Sequence, residues 1–80
     1  MLALLPTLPI RIKITIRILK LHEKIRFIRQ LKGWSQEEIA NRLEMSVNGY
    51  GSIERGETDV KLSRLEQIAH VFSMELLELA

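Results

Sequence analysis

The amino-acid sequence predicts a mainly α-helical domain preceded by an N-terminal β-strand arm, and three features support this fold class. Isoleucine occupies every second position of "IRIKITIRIL", residues 10–19, and strict alternation is typical of a strand with one apolar face. From about residue 21, apolar residues recur at helical spacing. Gly33 and Gly56 follow two of the helical stretches, where glycine favours a left-handed cap. We therefore divide the chain into an arm, 1–20, with a strand at about 10–18, and a helical domain, 21–80.

The charge is distributed unevenly between these two parts. Residues 1–20 contain four basic residues, Arg11, Lys13, Arg17 and Lys20, and no acidic residue, which gives +4. Residues 21–80 contain the other 8 basic residues and all 10 acidic residues, which gives −2. If the helical domain binds nucleic acid, its positive charge must therefore be concentrated on one face.

Composition argues against several classes of protein. The chain has no cysteine, so it has no disulfide and no cysteine-ligated metal, and a reducing, cytoplasmic compartment is expected. The apolar start "MLALLPTLPI" is short, lacks a basic beginning and contains two prolines, so we do not interpret it as a signal peptide. No apolar run approaches the roughly 20 residues of a membrane span. His22 and His70 have no acidic cluster around them, so we expect no metal, no cofactor and no enzymatic activity.

The first two predicted helices have clear boundaries. Apolar residues at helical spacing predict a helix from about Leu21 to Lys32, ended by Gly33. The stretch "SQEE" then opens the second helix as a capping box, in which Ser35 and Glu38 each bond a free backbone N–H. Residues 1–9 are expected to be an irregular start to the arm.

Three more helices follow. Ser46 is a favourable N-cap for a third helix that reaches Arg55, with Tyr50 and Ile53 facing inward. Apolar spacing marks a fourth helix from about residue 62 to residue 72. Ser73 ends it, and "MELLEL" predicts a short fifth helix. Trp34 is expected to pack beneath the first loop.

Two of these helices, joined by a tight turn, have the pattern of a helix-turn-helix. The stretch "IRFIRQLKGWSQEEIANRLEMSVNGYGSIERGE" closely resembles the phage-repressor-like helix-turn-helix domains of the Cro/C1 (XRE) type, and "LSRLEQIAHVFSMELLEL" resembles their last two helices. The resemblance covers about residues 21–79 and implies a five-helix, DNA-binding fold. It also implies that the helix beginning at Ser46 is the recognition helix.

The resemblance implies a role for eight positions. Base contacts are implied for Val47, Asn48 and Ser52, phosphate contacts for Gln36, Arg55 and Lys61, and a structural ion pair for Arg29 and Glu54. Asparagine can pair with adenine and valine can contact a thymine methyl group, whereas phosphate contacts orient the protein without reading sequence.

Three features depart from the family pattern. Glu44 and Ser73 occupy turn positions where the family usually has glycine, so each must accept a positive φ or a changed turn. The recognition helix also contains Gly49 and Gly51, and Gly51 removes a side chain that could read a base.

The predicted function is a sequence-specific transcriptional regulator, a repressor, that binds double-stranded DNA as a homodimer on a roughly palindromic operator. The strand would pair with its copy in a second subunit, with one dimerisation face formed by Ile10, Ile12, Ile14, Ile16 and Ile18. One alternative is an antitoxin-type module whose arm contacts a toxin or other partner protein. Another is a ribbon-helix-helix protein, but that fold leaves "SQEEIA" and "SIERGE" unexplained.

Overall fold

Residues 8–80, which are the residues that the computed structural model describes, form six α-helices. The helices are α1 (Ile10–Ile18), α2 (Leu21–Leu31), α3 (Gln36–Arg42), α4 (Val47–Glu54), α5 (Leu62–Val71) and α6 (Leu76–Leu79). Residues 8–80 contain no β-strand. The expectation of an irregular start applies mostly to residues 1–7, which lie outside the described part.

The predicted β-strand at residues 10–18 is wrong, because this segment is helix α1. The carbonyl of Pro9 accepts hydrogen bonds from the backbone N–H groups of Ile12 and Lys13, both at 3.1 Å. Leu19 returns to an extended conformation and ends the helix. A helix pairs its backbone groups within the segment, whereas a strand needs a neighbour, and no strand is available among residues 8–80.

The alternating isoleucines led to the wrong prediction because a residue that recurs at every second position also recurs at every fourth position. In a helix, residues four apart share one face. Ile16 is only 1 % exposed and packs inside the subunit, whereas Ile10, Ile14 and Ile18 are 70 %, 53 % and 77 % exposed. The five isoleucines therefore do not form one face, and the two-stranded ribbon between subunits has no basis in this fold.

The boundaries predicted around α2 and α3 are confirmed. Gly33 has a φ of 76° and follows α2 as a left-handed residue. Ser35 caps α3, with its Oγ accepting a hydrogen bond from the backbone N–H of Glu38 at 3.0 Å. The Glu38 carboxylate accepts the backbone N–H of Ser35 at 2.8 Å, which completes the capping box.

Two turns place non-glycine residues in the left-handed region. Glu44, between α3 and α4, has a φ of 57°, and Ser73, between α5 and α6, has a φ of 58°. Both positions were identified from the sequence as turns that normally use glycine. The backbone of each turn keeps the positive φ that glycine would adopt, so each non-glycine residue is strained.

The core lies where α2 to α6 meet. Tyr50, Phe72 and four isoleucines of this core are among the largest fully buried side chains, and the cluster comprises Ile25, Ile28, Ile39, Ala40, Leu43, Tyr50, Ile53, Leu65, Ile68, Ala69, Phe72, Met74 and Leu79. Trp34 stacks on Phe72 with ring centroids 6.2 Å apart, and the Arg42 guanidinium lies 4.2 Å from the Trp34 ring centroid. This packing holds α3 and α4 at a fixed angle on the surface of the domain.

Candidate nucleic-acid interface

Helices α3 and α4, with the turn between them, form a helix-turn-helix unit. Ala40 is 1 % exposed, and its carbonyl accepts the backbone N–H of Met45 at 3.0 Å. A small side chain at this position lets the two helices approach closely. Tyr50 and Ile53 bury the inner face of α4, so the unit is fixed to the core and its outer face is left free.

The N-terminal turn of α4 presents two of the predicted base-contacting residues to solvent. Val47 is 41 % exposed, and Asn48 is also exposed. The turn itself is held by Ser46, whose Oγ accepts the backbone N–H of Gly49 at 3.0 Å. A capped, rigid helix start with a free amide and a free apolar group can donate, accept and make apolar contacts at a DNA base edge.

Ser52, the third predicted base-contacting residue, is engaged within the protein. Its Oγ donates to the Gly49 carbonyl at 2.8 Å and lies 2.9 Å from the Thr58 Oγ1. Thr58 lies in the loop after α4, and sequence reasoning missed it. Ser52 therefore links the recognition helix to that loop, and only Val47 and Asn48 of the three are freely exposed.

Glu54 is the buried anchor of α4. Its carboxylate side chain is 2 % exposed, and Oε2 lies 2.6 Å from the Nε of Arg29 on α2. A second guanidinium nitrogen, Nη2, lies 3.2 Å from Oε1. The remaining guanidinium nitrogen of Arg29 donates to the Trp34 carbonyl at 2.8 Å. The structure thus brings together the two residues predicted as an ion pair, and the pair is bidentate.

Two further donors complete the shell around this carboxylate. The hydroxyl of Tyr50 donates to the Glu54 Oε2, and the Gln36 amide donates to Oε1 at 3.0 Å. A buried charge is tolerated when its lone pairs are satisfied in this way. Sequence reasoning placed Tyr50 in the core but missed its hydroxyl contact, which the i, i+4 spacing of Tyr50 and Glu54 on one helix face could have indicated.

The protonation states in this cluster follow from the same contacts. Burial acts to raise the pKa of Glu54, but the hydrogen bonds from Arg29, Tyr50 and Gln36 outweigh it and lower the pKa. The hydrogen bond to Glu54 raises the pKa of Arg29. Burial, followed by the bond to the carboxylate, raises the pKa of Tyr50. At neutral pH the cluster is an ionised carboxylate held by a guanidinium, a phenol and an amide.

The three residues predicted to contact phosphate have different surroundings. The side-chain amide of Gln36, at the start of α3, donates a hydrogen bond to Glu54, so it connects α3 to α4. Arg55 ends α4 and pairs with Glu57, Nε to Oε2 at 3.0 Å, in an exposed position. The Nη1 of Arg55 lies 3.0 Å from where a Cβ on Gly51 would stand, so this glycine leaves room for the arginine. Lys61 is exposed just before α5.

Other kinds of site are not visible in the described part of the chain. No group of three or more His, Cys, Asp or Glu side chains in residues 8–80 is arranged to hold a metal. Over the same residues, no helix combines the length and apolar character needed to cross a bilayer.

Comparison with known proteins agrees with this geometry. The model of a helix-turn-helix family matches residues 25–79, which is more than half of the chain and contains α3, the turn, α4 and the Glu54 cluster. No curated protein matches the chain. The chain therefore belongs to the helix-turn-helix family of the XRE, or Cro/C1, type, whose members are DNA-binding transcription regulators.

Proposed function

We propose that this protein is a sequence-specific transcriptional repressor that binds a roughly palindromic operator as a homodimer. Each subunit would place α4 in one half-site of the major groove. The proposal rests on the difference between the buried face and the exposed face of α4. Its inner face is fixed by the Glu54 cluster, whereas Val47 and Asn48 at its start are exposed.

The proposed reading of DNA uses these two exposed side chains. The NH2 group of the Asn48 amide can donate to N7 of adenine while its carbonyl oxygen accepts from the N6 amino group, and Val47 matches a thymine methyl group. Ser52 is the third predicted base-contacting residue. Its bonds to Gly49 and Thr58 support a role in holding the end of α4 as well.

Phosphate contacts would orient this unit on the duplex. We assign them to Gln36, Arg55 and Lys61, which lie at the start of α3, the end of α4 and the start of α5. Gln36 retains its amide oxygen and one amide hydrogen while it donates to Glu54. Arg55 would exchange Glu57 for a phosphate, since an exposed ion pair contributes only about 0–1 kcal/mol.

Selection of bound sequences from a random DNA pool tests the proposal. We expect an enriched palindrome whose half-site centres lie about one helical turn, roughly 10–10.5 base pairs, apart. Failure to enrich any sequence would contradict sequence-specific binding. An enriched single half-site without a repeat would retain the DNA-reading role and contradict the homodimer.

A further inference from the structure

Two hydroxyl groups lie side by side near the C-terminal end of α4. The Ser52 Oγ donates a hydrogen bond to the Gly49 carbonyl at 2.8 Å, and it lies 2.9 Å from the Oγ1 of Thr58 in the loop after α4. Thr58 is exposed and Ser52 is partly buried. The hydrogen-bonding groups that this pair can offer to DNA follow from the number of protons that the two hydroxyls hold.

Both hydroxyl protons are used within the protein. A hydroxyl group has one proton to donate and two lone pairs that can accept. Because the Gly49 carbonyl can only accept, the proton of Ser52 lies in that bond. Thr58 must therefore donate the proton of the second bond, and the Ser52 Oγ accepts it. One lone pair of Ser52 and two lone pairs of Thr58 remain for other partners.

The backbone of the loop fixes Thr58 beside Ser52. Gly56 has a φ of 74°, and its N–H donates to the Ile53 carbonyl at 3.0 Å, while the N–H of Glu57 donates to the Ser52 carbonyl at 3.0 Å. These two bonds form the Schellman motif, which ends a helix with a left-handed residue. Thr58 follows this motif directly, so a defined turn holds its short side chain in contact with Ser52.

The hydroxyl pair belongs to the surface that is proposed to face DNA. Ser52 lies four residues after the exposed Asn48, and residues four apart share one face of a helix. Ser52 and Thr58 also line one surface groove together with Lys61, which is a proposed phosphate contact. When Asn48 reads one base, Ser52 is therefore one helical turn farther along the same face of α4.

The remaining lone pairs favour one class of DNA group. Phosphate oxygens only accept hydrogen bonds, so they do not match a pair of hydroxyls without a free proton. In the major groove the N4 amino group of cytosine and the N6 amino group of adenine donate, whereas O6 of guanine and O4 of thymine accept. To donate to guanine or thymine, Ser52 would have to break its bond to Gly49, or Thr58 its bond to Ser52.

We propose that Thr58 is a specificity-determining residue that fixes the Ser52 hydroxyl as an acceptor for the amino group of cytosine or adenine. This inference rests on the proposed function, and it names the class of base that the second turn of α4 reads. Thr58 acts through Ser52, so it is a positioning residue. The operator should then contain one position, on the strand nearer to Ser52, that selects cytosine or adenine over guanine or thymine.

Selection from a random DNA pool with the full chain locates this position, because Ser52→Ala should lose the preference there and keep the preference that depends on Asn48. On four operators that differ only at this base pair, the wild type should bind the two favoured ones about five- to tenfold more tightly, the contribution of one net hydrogen bond. Thr58→Val frees the Ser52 proton and should reduce this preference to less than about twofold. Thr58→Ser keeps the hydroxyl and should retain it.

Base analogues test the amino group itself. Purine lacks only the N6 amino group of adenine, and 2-pyrimidinone lacks only the N4 amino group of cytosine. The matching analogue in the operator should weaken binding by the wild type about fivefold. It should weaken binding by Ser52→Ala by less than about twofold, because interacting partners are not additive. A Thr58 that merely stabilised the fold would change the affinity for all four operators by the same factor.

Several results would overturn this inference. They are a wild type that binds the analogue as tightly as the natural base, a Ser52→Ala variant that loses no selected position, and a Thr58→Val variant that keeps the full preference. If the preference that depends on Asn48 persists in these experiments, the proposed function stands without the role of Thr58. If the wild type selects no sequence at all, sequence-specific binding and the role of Thr58 are both rejected.

Discussion

Glu54 is the residue on which the orientation of the recognition helix depends most. One carboxylate connects α4 to α2 through Arg29 and to α3 through Gln36, and Tyr50 closes the shell from the same helix. Removing one partner of a buried pair leaves an uncompensated charge. Changes at this residue should therefore disturb both the stability of the fold and the position of the side chains that face DNA.

The lowered pKa of Glu54 predicts a defined pH dependence. A carboxyl group whose pKa is lower in the folded state stabilises the fold above its unfolded pKa, near 4.5, and loses this contribution as the pH falls through the folded value. Glu54→Gln removes the ionisation. We expect the variant to be less stable than the wild type at pH 7. The difference in the free energy of unfolding between the two proteins should narrow below pH 4.5.

Urea denaturation at a series of pH values measures this gap. Glu57→Gln is the control, because Glu57 forms the exposed ion pair with Arg55 and should leave the pH dependence nearly unchanged. If the difference in the free energy of unfolding between wild type and Glu54→Gln stays constant from pH 7 to pH 3, Glu54 is not responsible for the pH dependence of stability.

The strained turn residues yield a second prediction at this scale. Glu44 adopts a φ of 57°, which costs a non-glycine residue about 1–2 kcal/mol. Glycine removes that cost but adds freedom to the unfolded chain, about 0.4–1 kcal/mol. Glu44→Gly should therefore raise the free energy of unfolding by up to about 1.5 kcal/mol in thermal or urea denaturation.

Gly33 offers the reverse test of the same argument. Its φ is 76°, and no atom lies within 4 Å of an added Cβ, so Gly33→Ala changes the backbone preference without creating a clash. It should destabilise the protein by about 1 kcal/mol. Stabilisation by Gly33→Ala, or destabilisation by Glu44→Gly, would contradict the role given to positive φ.

At the scale of the elements, sequence patterns predicted the positions of most helices well, but they predicted contacts between distant segments poorly. The capping box of Ser35 and the left-handed Gly33 depend on neighbours in the chain, so they could be predicted. Helix α1 could not, because strict alternation of isoleucine favours a strand, whereas residues 8–80 contain no strand with which this segment could pair. The bonds of Gln36 to Glu54 and of Ser52 to Thr58 arise only when separate segments meet.

Helix α1 should depend on its one buried side chain. Ile16 is 1 % exposed, and replacing a buried isoleucine with alanine typically costs about 2–5 kcal/mol. Since α1 has no other fully buried residue, Ile16→Ala should release α1 from the subunit, even though alanine is the better helix former. Hydrogen exchange should then show lost amide protection at 13–18, with α2 to α6 still protected.

The control for this experiment is Leu62→Ala, an exposed aliphatic residue on α5. It should leave the protection of α1 unchanged. Full protection of 13–18 in Ile16→Ala would show that α1 is held by something other than this side chain.

At the scale of the whole molecule, the proposed repressor combines DNA reading with dimerisation. In this proposal the start of α4 reads one half-site, and a second subunit places its own α4 on the other half-site. The family match begins at residue 25, after α1. The proposed DNA reading therefore lies in the part of the chain that is typical of the family.

The most direct test of sequence-specific reading compares Asn48→Ala with wild type on the selected operator and on random DNA, by fluorescence anisotropy at one salt concentration. A lost base contact should cost about 1–3 kcal/mol on the operator and leave binding to random DNA nearly unchanged. Asn41→Ala, an exposed asparagine on α3, is the matched control and should not reduce the preference for the operator. Equal loss of affinity for both DNAs in Asn48→Ala, or no loss for either, would contradict the claim that α4 reads the sequence through Asn48.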